Sequence, residues 1–367
     1  MALSSDNGGP EKGGGWLRAL MRRRPRPAWM VALAHLLALG LALVLYALPH
    51  HVLPSRQQAT GIVSTREASV RHSAAPVATA TVAVEYDDEG DPILPEADPT
   101  PEPTPEPVGS FRNKFADKFT DGEVIETDNS YRSANLNITF QKKYFDELMS
   151  RVYYADIYIA DISCLKTALA EDTFGRGYKE WITKVARRTG SVVTMNGDYY
   201  GSRDFGVVAR NGILYRDAKN IRDVAVLYWD GSFETLTPEQ FNAKQAMAEG
   251  AYQIWHFGPR LLDDSGHAMT KFNADSHMVK RHPRSAFGYY EPGHYCFVAV
   301  DGRNKKSNGA KIDALAKIMA GFGCKLAYNL DGGQTSLLAL ANKLVNIPSD
   351  GGRNSSDYIM VIDSVSP

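Results

Sequence analysis

Alternating apolar and polar positions predict strands over NLNITF (Asn135–Phe140) and YADIYIADI (Tyr154–Ile162), both rich in β-branched residues. In GYKEWITKVARRTG the period lengthens to that of a helix. Tyr178, Trp181, Ile182 and Val185 then share one face, and Gly190 is the stop. SVVTMNGDYYG reads as an apolar strand running into a polar turn. FGVVARNGILYR and DVAVLYWDGSFETL each read as two strands around a turn, at Asn211-Gly212 and Asp230-Gly231. TPEQFNAKQAMAEG predicts a helix with Thr237 as N-cap, Pro238 at its first position and Gln240 closing a capping box. HYCFVAVDGR, AKIDALAKIMAGFG and KLAYNLDGG follow as strand, helix and strand. That order predicts two parallel strands joined by a right-handed crossover, with Asp301 and Asp331 on one rim of the sheet. The fold class expected is α+β (mixed α/β): a single domain with a mixed sheet that includes this C-terminal strand-helix-strand unit.

Ahead of this domain the pattern changes twice. Ala28 to Leu48 is apolar throughout except for His35, with Trp29 and Tyr46 near its ends and Pro27 and Pro49 outside them. About 20 such residues span a bilayer core, and aromatic side chains favour its interface. Arginines cluster from Arg18 to Arg26 and would stay cytoplasmic. The rival is a cleaved signal peptide, whose apolar region is usually shorter. The expectation is a single-pass, membrane-bound protein. Residues 1–27 form a cytoplasmic basic tail, 28–48 a span in the lipid bilayer, and 111–367 an extracellular domain. Residues 49–110 carry EYDDEGD and PTPEPTPEPV and read as a disordered, semi-rigid spacer, too polar to bury a core.

The chain has 367 residues and a formal net charge of −1, which gives no sign of a nucleic-acid partner. Cys164, Cys296 and Cys324 match no zinc spacing. Cys296 and Cys324 each open a strand-like run, so a disulfide and a pair of buried thiols both remain open.

Candidate chemistry gathers where strands end. Asp198, Asp301 and Asp331 each follow an apolar strand and sit beside glycine, a format that also makes ordinary turns. In DGGQTS, Gly332 and Gly333 remove Cβ atoms and permit close approach, while Gln334, Thr335 and Ser336 offer an amide and two hydroxyls. Were SLLALANK helical, Ser336 would stand at a helix start suited to an anion. Arg284 and Arg303 are candidates to bind phosphate or carboxylate. His282 and His294 flank the Arg284 strand, and structural roles suit them better. No Gly-x-Ser-x-Gly elbow or His-Glu-x-x-His pair is present, which leaves carboxylates as acid, base or nucleophile. No cofactor is required, although clustered aspartates would suit Ca²⁺ or Mg²⁺.

TMNGDYYG, FGVVARNGILYR, FGPRLL, PRSAFGYY, FVAVDGRN and NLDGGQTS occur in the order of the phosphodiester glycosidase family, which the chain resembles over about Tyr153 to Asp363. The resemblance implies hydrolysis between a sugar's anomeric carbon and a phosphodiester. It carries over Asn196, Asp198, Arg284, Asp301, Arg303 and Asp331 with its Gly-Gly-Gln-Thr-Ser. Arg284 would bind phosphate and two of the aspartates would flank the anomeric carbon. Asn196 would hold a sugar hydroxyl or orient Asp198. Bacterial relatives are often associated with exopolysaccharide, and the short arginine-rich anchor is bacterial in style. The expected substrate is therefore a sugar phosphate or polysaccharide of the cell surface or cell wall. A glycosyl or phosphoglycosyl transferase is the alternative enzyme, and an anchored, non-catalytic glycan-binding module is the third reading.

Overall fold

The structure is a computed structural model that describes residues 27–48, 54–68 and 107–364. Two units separate, residues 1–53 and 54–367. The described part of the first is helix α1 (Ala28–Ala47), with a mean hydropathy of 2.3 over its most apolar stretch and no buried residue. A helix that is apolar all round and uncovered by protein has the length and composition to cross a membrane.

In the second unit the strands run, in chain order, β1 (Ser55–Arg56), β2 (Ile125–Thr127), β3 (Ser130–Arg132), β4 (Leu136–Phe145), β5 (Ser150–Ile159), β6 (Leu165–Leu169) and β7 (Gly175–Arg176). After helix α2 (Ile182–Thr189) come β8 (Val193–Asn196), β9 (Val208–Arg210), β10 (Ile213–Arg216), β11 (Val224–Tyr228) and β12 (Phe233–Leu236). Helix α3 (Ala243–Ala248) precedes β13 (Ala251–Trp255), β14 (Arg284–Glu291) and β15 (His294–Val300). Helix α4 (Ile312–Gly321) leads to β16 (Leu326–Leu330), β17 (Leu338–Leu340), β18 (Lys343–Leu344) and β19 (Asp357–Val361).

A seven-stranded sheet, β16-β14-β15-β5-β4-β3-β2, forms the centre. One face packs under α4 through Val298, Val300, Leu315 and Met319. The other meets two five-stranded sheets, β10-β9-β13-β11-β12 and β18-β17-β8-β19-β6, through residues such as Phe287, Phe297, Leu227, Met195 and Ile359. Strand alternation makes this layering possible. In β11, Ala225 and Leu227 face the centre while Val224, Val226 and Tyr228 pack on α3. The outer face of the third sheet is likewise closed by Ile182 and Val185 of α2.

The α+β class holds, and every pairing between named strands is antiparallel. The strand-helix-strand unit forms, with β15 and β16 pointing the same way, but β14 lies between them and pairs with both. Local expectations hold at the Asn211-Gly212 hairpin, where φ is 50° and 80°. Gly190 is left-handed at the end of α2. The helix predicted from Thr237 begins later. Gln240 closes its bond to the Thr237 amide, but in a turn, and Asn242 caps α3. SLLALANK is not helical; it supplies β17, a turn and β18.

The folded unit also begins earlier than Phe111. Residues 54–68 dock on the domain, although their composition reads as linker. β1 pairs with β7, Thr60 and Ser64 bond to the backbone of Leu214 and Gly212, and Arg66 grips Asp161 bidentately. Main-chain pairing of this kind leaves no mark on hydropathy. Ser110 bridges to Asp161 as well. The Pro- and Glu-rich stretch, 69–106, and the basic tail lie outside the described residues.

Cys296 and Cys324 are free, buried thiols with their sulfurs 3.7 Å apart. Cys296 is on β15 and Cys324 lies just before β16, on either side of β14, and they meet only because Gly288, between them, has no side chain. A Cβ there would stand 2.5 Å from one sulfur and 2.7 Å from the other. Gly288→Ala is therefore expected to destabilise the domain by about 1–3 kcal/mol, read as a lowered thermal midpoint.

Candidate active site

β14 enters the central sheet between the outgoing ends of its neighbours. Arg284 pairs with Val300, and Ser285 with Leu330, so Arg284 stands level with Asp331. Asp301 lies one residue past Val300, and alternation turns it to the opposite face. There it accepts bonds from the Tyr153 hydroxyl (3.0 Å), Asn346 Nδ2 (3.2 Å) and the Ile347 amide (3.0 Å). Asp301 thus stitches the 346–347 segment to β5 and does not line the cleft described below.

β8 brings Asn196 and Asp198 from the neighbouring sheet. Asn196 donates to the Asp331 carbonyl (2.7 Å) and accepts from the Leu337 amide (3.0 Å) and Ser285 hydroxyl (2.7 Å). With these bonds made, it braces the site and has no free group for a sugar hydroxyl. Asp198 is fully buried, held by Arg203 Nη2 at 2.7 and 2.8 Å and by the His256 amide at 3.1 Å. Its own amide donates to Asp357, which is paired with Arg210. Asp198 therefore sits behind the cleft and acts on it electrostatically.

The cleft encloses about 550 Å³. Tyr199, Phe257 and Met278 give it an apolar wall; Arg284, Arg303, Arg353, His277 and His282 give it positive and polar ones; Asp331 and Gly332–Gln334, with Asp350 and the Arg222–Asp275 ion pair, complete it. Asp331 is buried and accepts from the Thr335 hydroxyl (2.6 Å) and the Gly332 amide (2.8 Å). Burial pushes its pKa up to about 6 against those bonds and the Arg353 guanidinium 4.0 Å away, and the Asp198 charge adds to the rise. Asp331 is thus poised to exchange a proton near neutral pH.

Arg284 is buried and held by neutral carbonyls, those of Ala310 (3.1 Å), Lys280 (2.7 Å) and Met278. Burial, and then the nearby Arg303 charge, pushes its pKa down to about 10, so it stays cationic at neutral pH. Among the described residues neither Arg284 nor Arg303 forms a salt bridge with a carboxylate. Two guanidiniums left uncompensated beside each other form a site for an anion, phosphate above all.

The DGGQTS segment is a short 3-10 turn, Gly333–Thr335, so no helix start is available to an anion. A Cβ at Gly332 would stand 2.6 Å from the Pro283 carbonyl, and one at Gly333 would stand 3.3 Å from Arg303 Nη1. The two glycines thus admit a backbone and a guanidinium. Thr335 serves Asp331, and Ser336 is buried with its hydroxyl on the Arg284 carbonyl (2.6 Å). Gln334 lines the cleft and bonds to Asp350. The three candidate aspartates form no common ligand set, and no group of three His, Cys, Asp or Glu side chains suited to a metal occurs among the described residues. Tyr199 and Phe257 lie in the TMNGDYYG and FGPRLL motifs but are not singled out there, while His277, Met278 and Arg353 carry no signal of their own; Tyr199 and Arg353 lie over 150 residues apart and meet only through folding.

This is an α+β domain with an arginine-walled cleft built around a buried aspartate. Residues 189–362 match the phosphodiester glycosidase family, NAGPA. Among curated proteins it is 28% identical over 184 residues to the SPbeta prophage-derived uncharacterized protein YomE of Bacillus subtilis (strain 168). That match covers 48% of this chain and 29% of the relative, so the chain spans less than a third of the relative's length. Among solved structures it is similar to the zebrafish N-acetylglucosamine-1-phosphodiester alpha-N-acetylglucosaminidase catalytic domain auto-inhibited by its pro-peptide. The identity there is 19%, with 67% of this chain and 86% of that chain covered and a TM-score of 0.50, a likeness of fold. A hypothetical protein from Synechocystis is 14% identical, with 62% of each chain covered and a TM-score of 0.48.

Two outcomes follow from the different settings of Asp301 and Asp331. Asp301→Ala is expected to cost about 1–3 kcal/mol of stability, because it strands the buried Tyr153 hydroxyl and removes an acceptor from Asn346 and the Ile347 amide. Asp331 has the opposite sign at neutral pH. Its carboxyl holds a proton up to about pH 6 in the fold, whereas an unfolded aspartate releases it near 4. Its contribution is therefore present below pH 4 and lost as pH rises through 6. Melting curves across that window should fall for the unmodified protein and flatten for Asp331→Asn.

Proposed function

We propose that the domain hydrolyses the glycosidic bond of sugar-1-phosphodiesters, with Asp331 as the reacting carboxylate and Arg284 and Arg303 binding the phosphate. The observation that carries this reading is one proton-exchanging carboxylate, Asp331, beside two guanidiniums that lack carboxylate partners among the described residues. The sugar would lie on the apolar wall of Tyr199 and Phe257, whose rings meet edge to face at 5.4 Å.

Of the three carboxylates that line the cleft, Asp275 is paired with Arg222 and Asp350 accepts from Gln334, which leaves Asp331 as the single reacting carboxylate. Ordinary glycosidases need a second one to protonate an alkoxide leaving group. Here the leaving group is a phosphate oxygen, whose second ionisation lies near pH 6, so guanidinium charge does the work of a proton. Asp331, ionised, takes a proton from water as the water oxygen bonds to the anomeric carbon. The bond from that carbon to the phosphate oxygen breaks, and its electron pair leaves on the phosphomonoester. Asp198, buried behind Asp331, raises its basicity and takes no part in bond making.

The apolar helix Ala28–Ala47 and the arginines before it support an anchored protein with the domain outside the membrane, acting on surface polysaccharide or cell-wall polymer. The length of the apolar run, Ala28 to Leu48, favours retention over cleavage.

Screening the full-length chain in detergent against nucleotide sugars and alkyl sugar-1-phosphates tests the reading. At least one should yield free sugar and a phosphomonoester, with the rate rising through about pH 6 as Asp331 ionises. Asp331→Asn should lower turnover by about 10²–10⁴-fold. Full activity in that variant, or no cleavage across the panel by folded protein, would overturn it. Transfer of the sugar to an added acceptor in place of water would point to the transferase.

A further inference from the structure

The Arg303 side chain has one hydrogen-bond partner among the described residues, Nδ1 of His282. Guanidinium groups only donate, so Nδ1 is the acceptor. The other ring nitrogen, Nε2, lies 2.7 Å from the His277 carbonyl oxygen, which only accepts. His282 therefore carries its proton on Nε2 and is neutral, a tautomer dictated by its two partners. Burial, with the Arg284 and Arg303 charges, lowers its pKa and keeps it neutral.

His282 is itself well held. Its backbone exchanges bonds with Ala310 (3.1 and 2.9 Å), and its ring lies 4.6 Å from that of His277. The turn carrying His277 is pinned by Asp275, whose carboxylate accepts from the His277 and Met278 amides at 3.0 and 2.7 Å. Arg303 has a left-handed backbone, φ 54°, and its guanidinium reaches over Gly333. A carboxylate in the place of His282 would aim that guanidinium equally well and neutralise it. A neutral imidazole aims it and leaves its charge for the ligand.

We infer that His282 is a positioning residue of the anion site: a neutral acceptor that orients Arg303 toward the substrate's phosphate without spending its charge. This rests on the anion-binding part of the reading above. It does not need the glycosidic step, which lets the two fail separately.

The test is phenyl phosphate binding to the full-length chain in detergent, measured calorimetrically for a double-mutant cycle of His282→Ala and Arg303→Met. Each single variant should weaken binding by roughly ten-fold or more. The double variant should bind no more weakly than Arg303→Met alone, because His282 acts only through Arg303. His282→Asn, whose amide oxygen stands where Nδ1 does, should keep binding within about three-fold. If His282→Ala does not fold by thermal melting, His282→Gln carries the same cycle, since it reaches toward His277 but lacks the acceptor at the Nδ1 position. Additive losses, unchanged binding in the His282 variants, or no phenyl phosphate binding by the unmodified protein would overturn the inference. Tight phenyl phosphate binding with no cleavage of any sugar phosphodiester would instead overturn the proposed reaction and leave the role of His282 standing.

Discussion

Asn196 holds two sheets together at the point where the cleft opens. Its amide nitrogen donates to the Asp331 carbonyl, at the end of the central sheet, and its oxygen accepts from Ser285 of β14 and Leu337 beside β17. An amide can serve both sides because it is donor and acceptor in one planar group. The main chain before and after DGGQTS is thereby tied to β8 and β14 at once. Asp331 then has a fixed backbone, and its carboxylate can be buried without being neutralised. The arrangement of Gly332, Gly333 and Thr335 around it depends on that seam.

The domain treats its arginines in two ways. Arg203 and Arg210, deep inside, are each matched to an aspartate, Asp198 and Asp357. Buried charges left single would be costly, and pairing offsets that cost. Arg284 and Arg303 instead rest on carbonyls and an imidazole. They keep their charge at the wall of the cleft, where an anion can complete the pairing. The same economy raises Asp331, which is buried next to the charge of Asp198 and only loosely approached by Arg353. Stability is given up at the cleft and retained in the paired network behind it, a pattern expected of sites that react.

Much of the local structure was readable in the sequence. Period-two and period-3.6 patterns located most strands and the helices α2 and α4, since those patterns record which face each element buries. The Asn211-Gly212 turn and the Gly190 stop were readable because they depend on backbone preferences of single residues. The docking of residues 54–68 was not, since it rests on main-chain bonds and one Arg66–Asp161 pair. The late start of α3 was hidden because Thr237 and Asn242 are both competent caps and packing chose between them. Cys296 lies on β15 and Cys324 just ahead of β16, strands that are not neighbours, and their meeting depends on Gly288 of β14 between them.

By itself the sequence determined the class of fold, the apolar helix Ala28–Ala47, the family pattern of motifs and the strand ends that carry Arg284 and Asp331. These follow from composition and short-range periodicity, which act through the residues next to each other in the chain. Only the tertiary structure decided which of the candidate acids shares a cleft with the arginines. Insertion of β14 between β15 and β16 set the register, and one residue of offset turned Asp301 to the other face while Asp331 stayed level with Arg284. Burial then put Asp198 behind the site and His282 against Arg303. Register and burial are properties of strands distant in sequence, and no local pattern of residues encodes them.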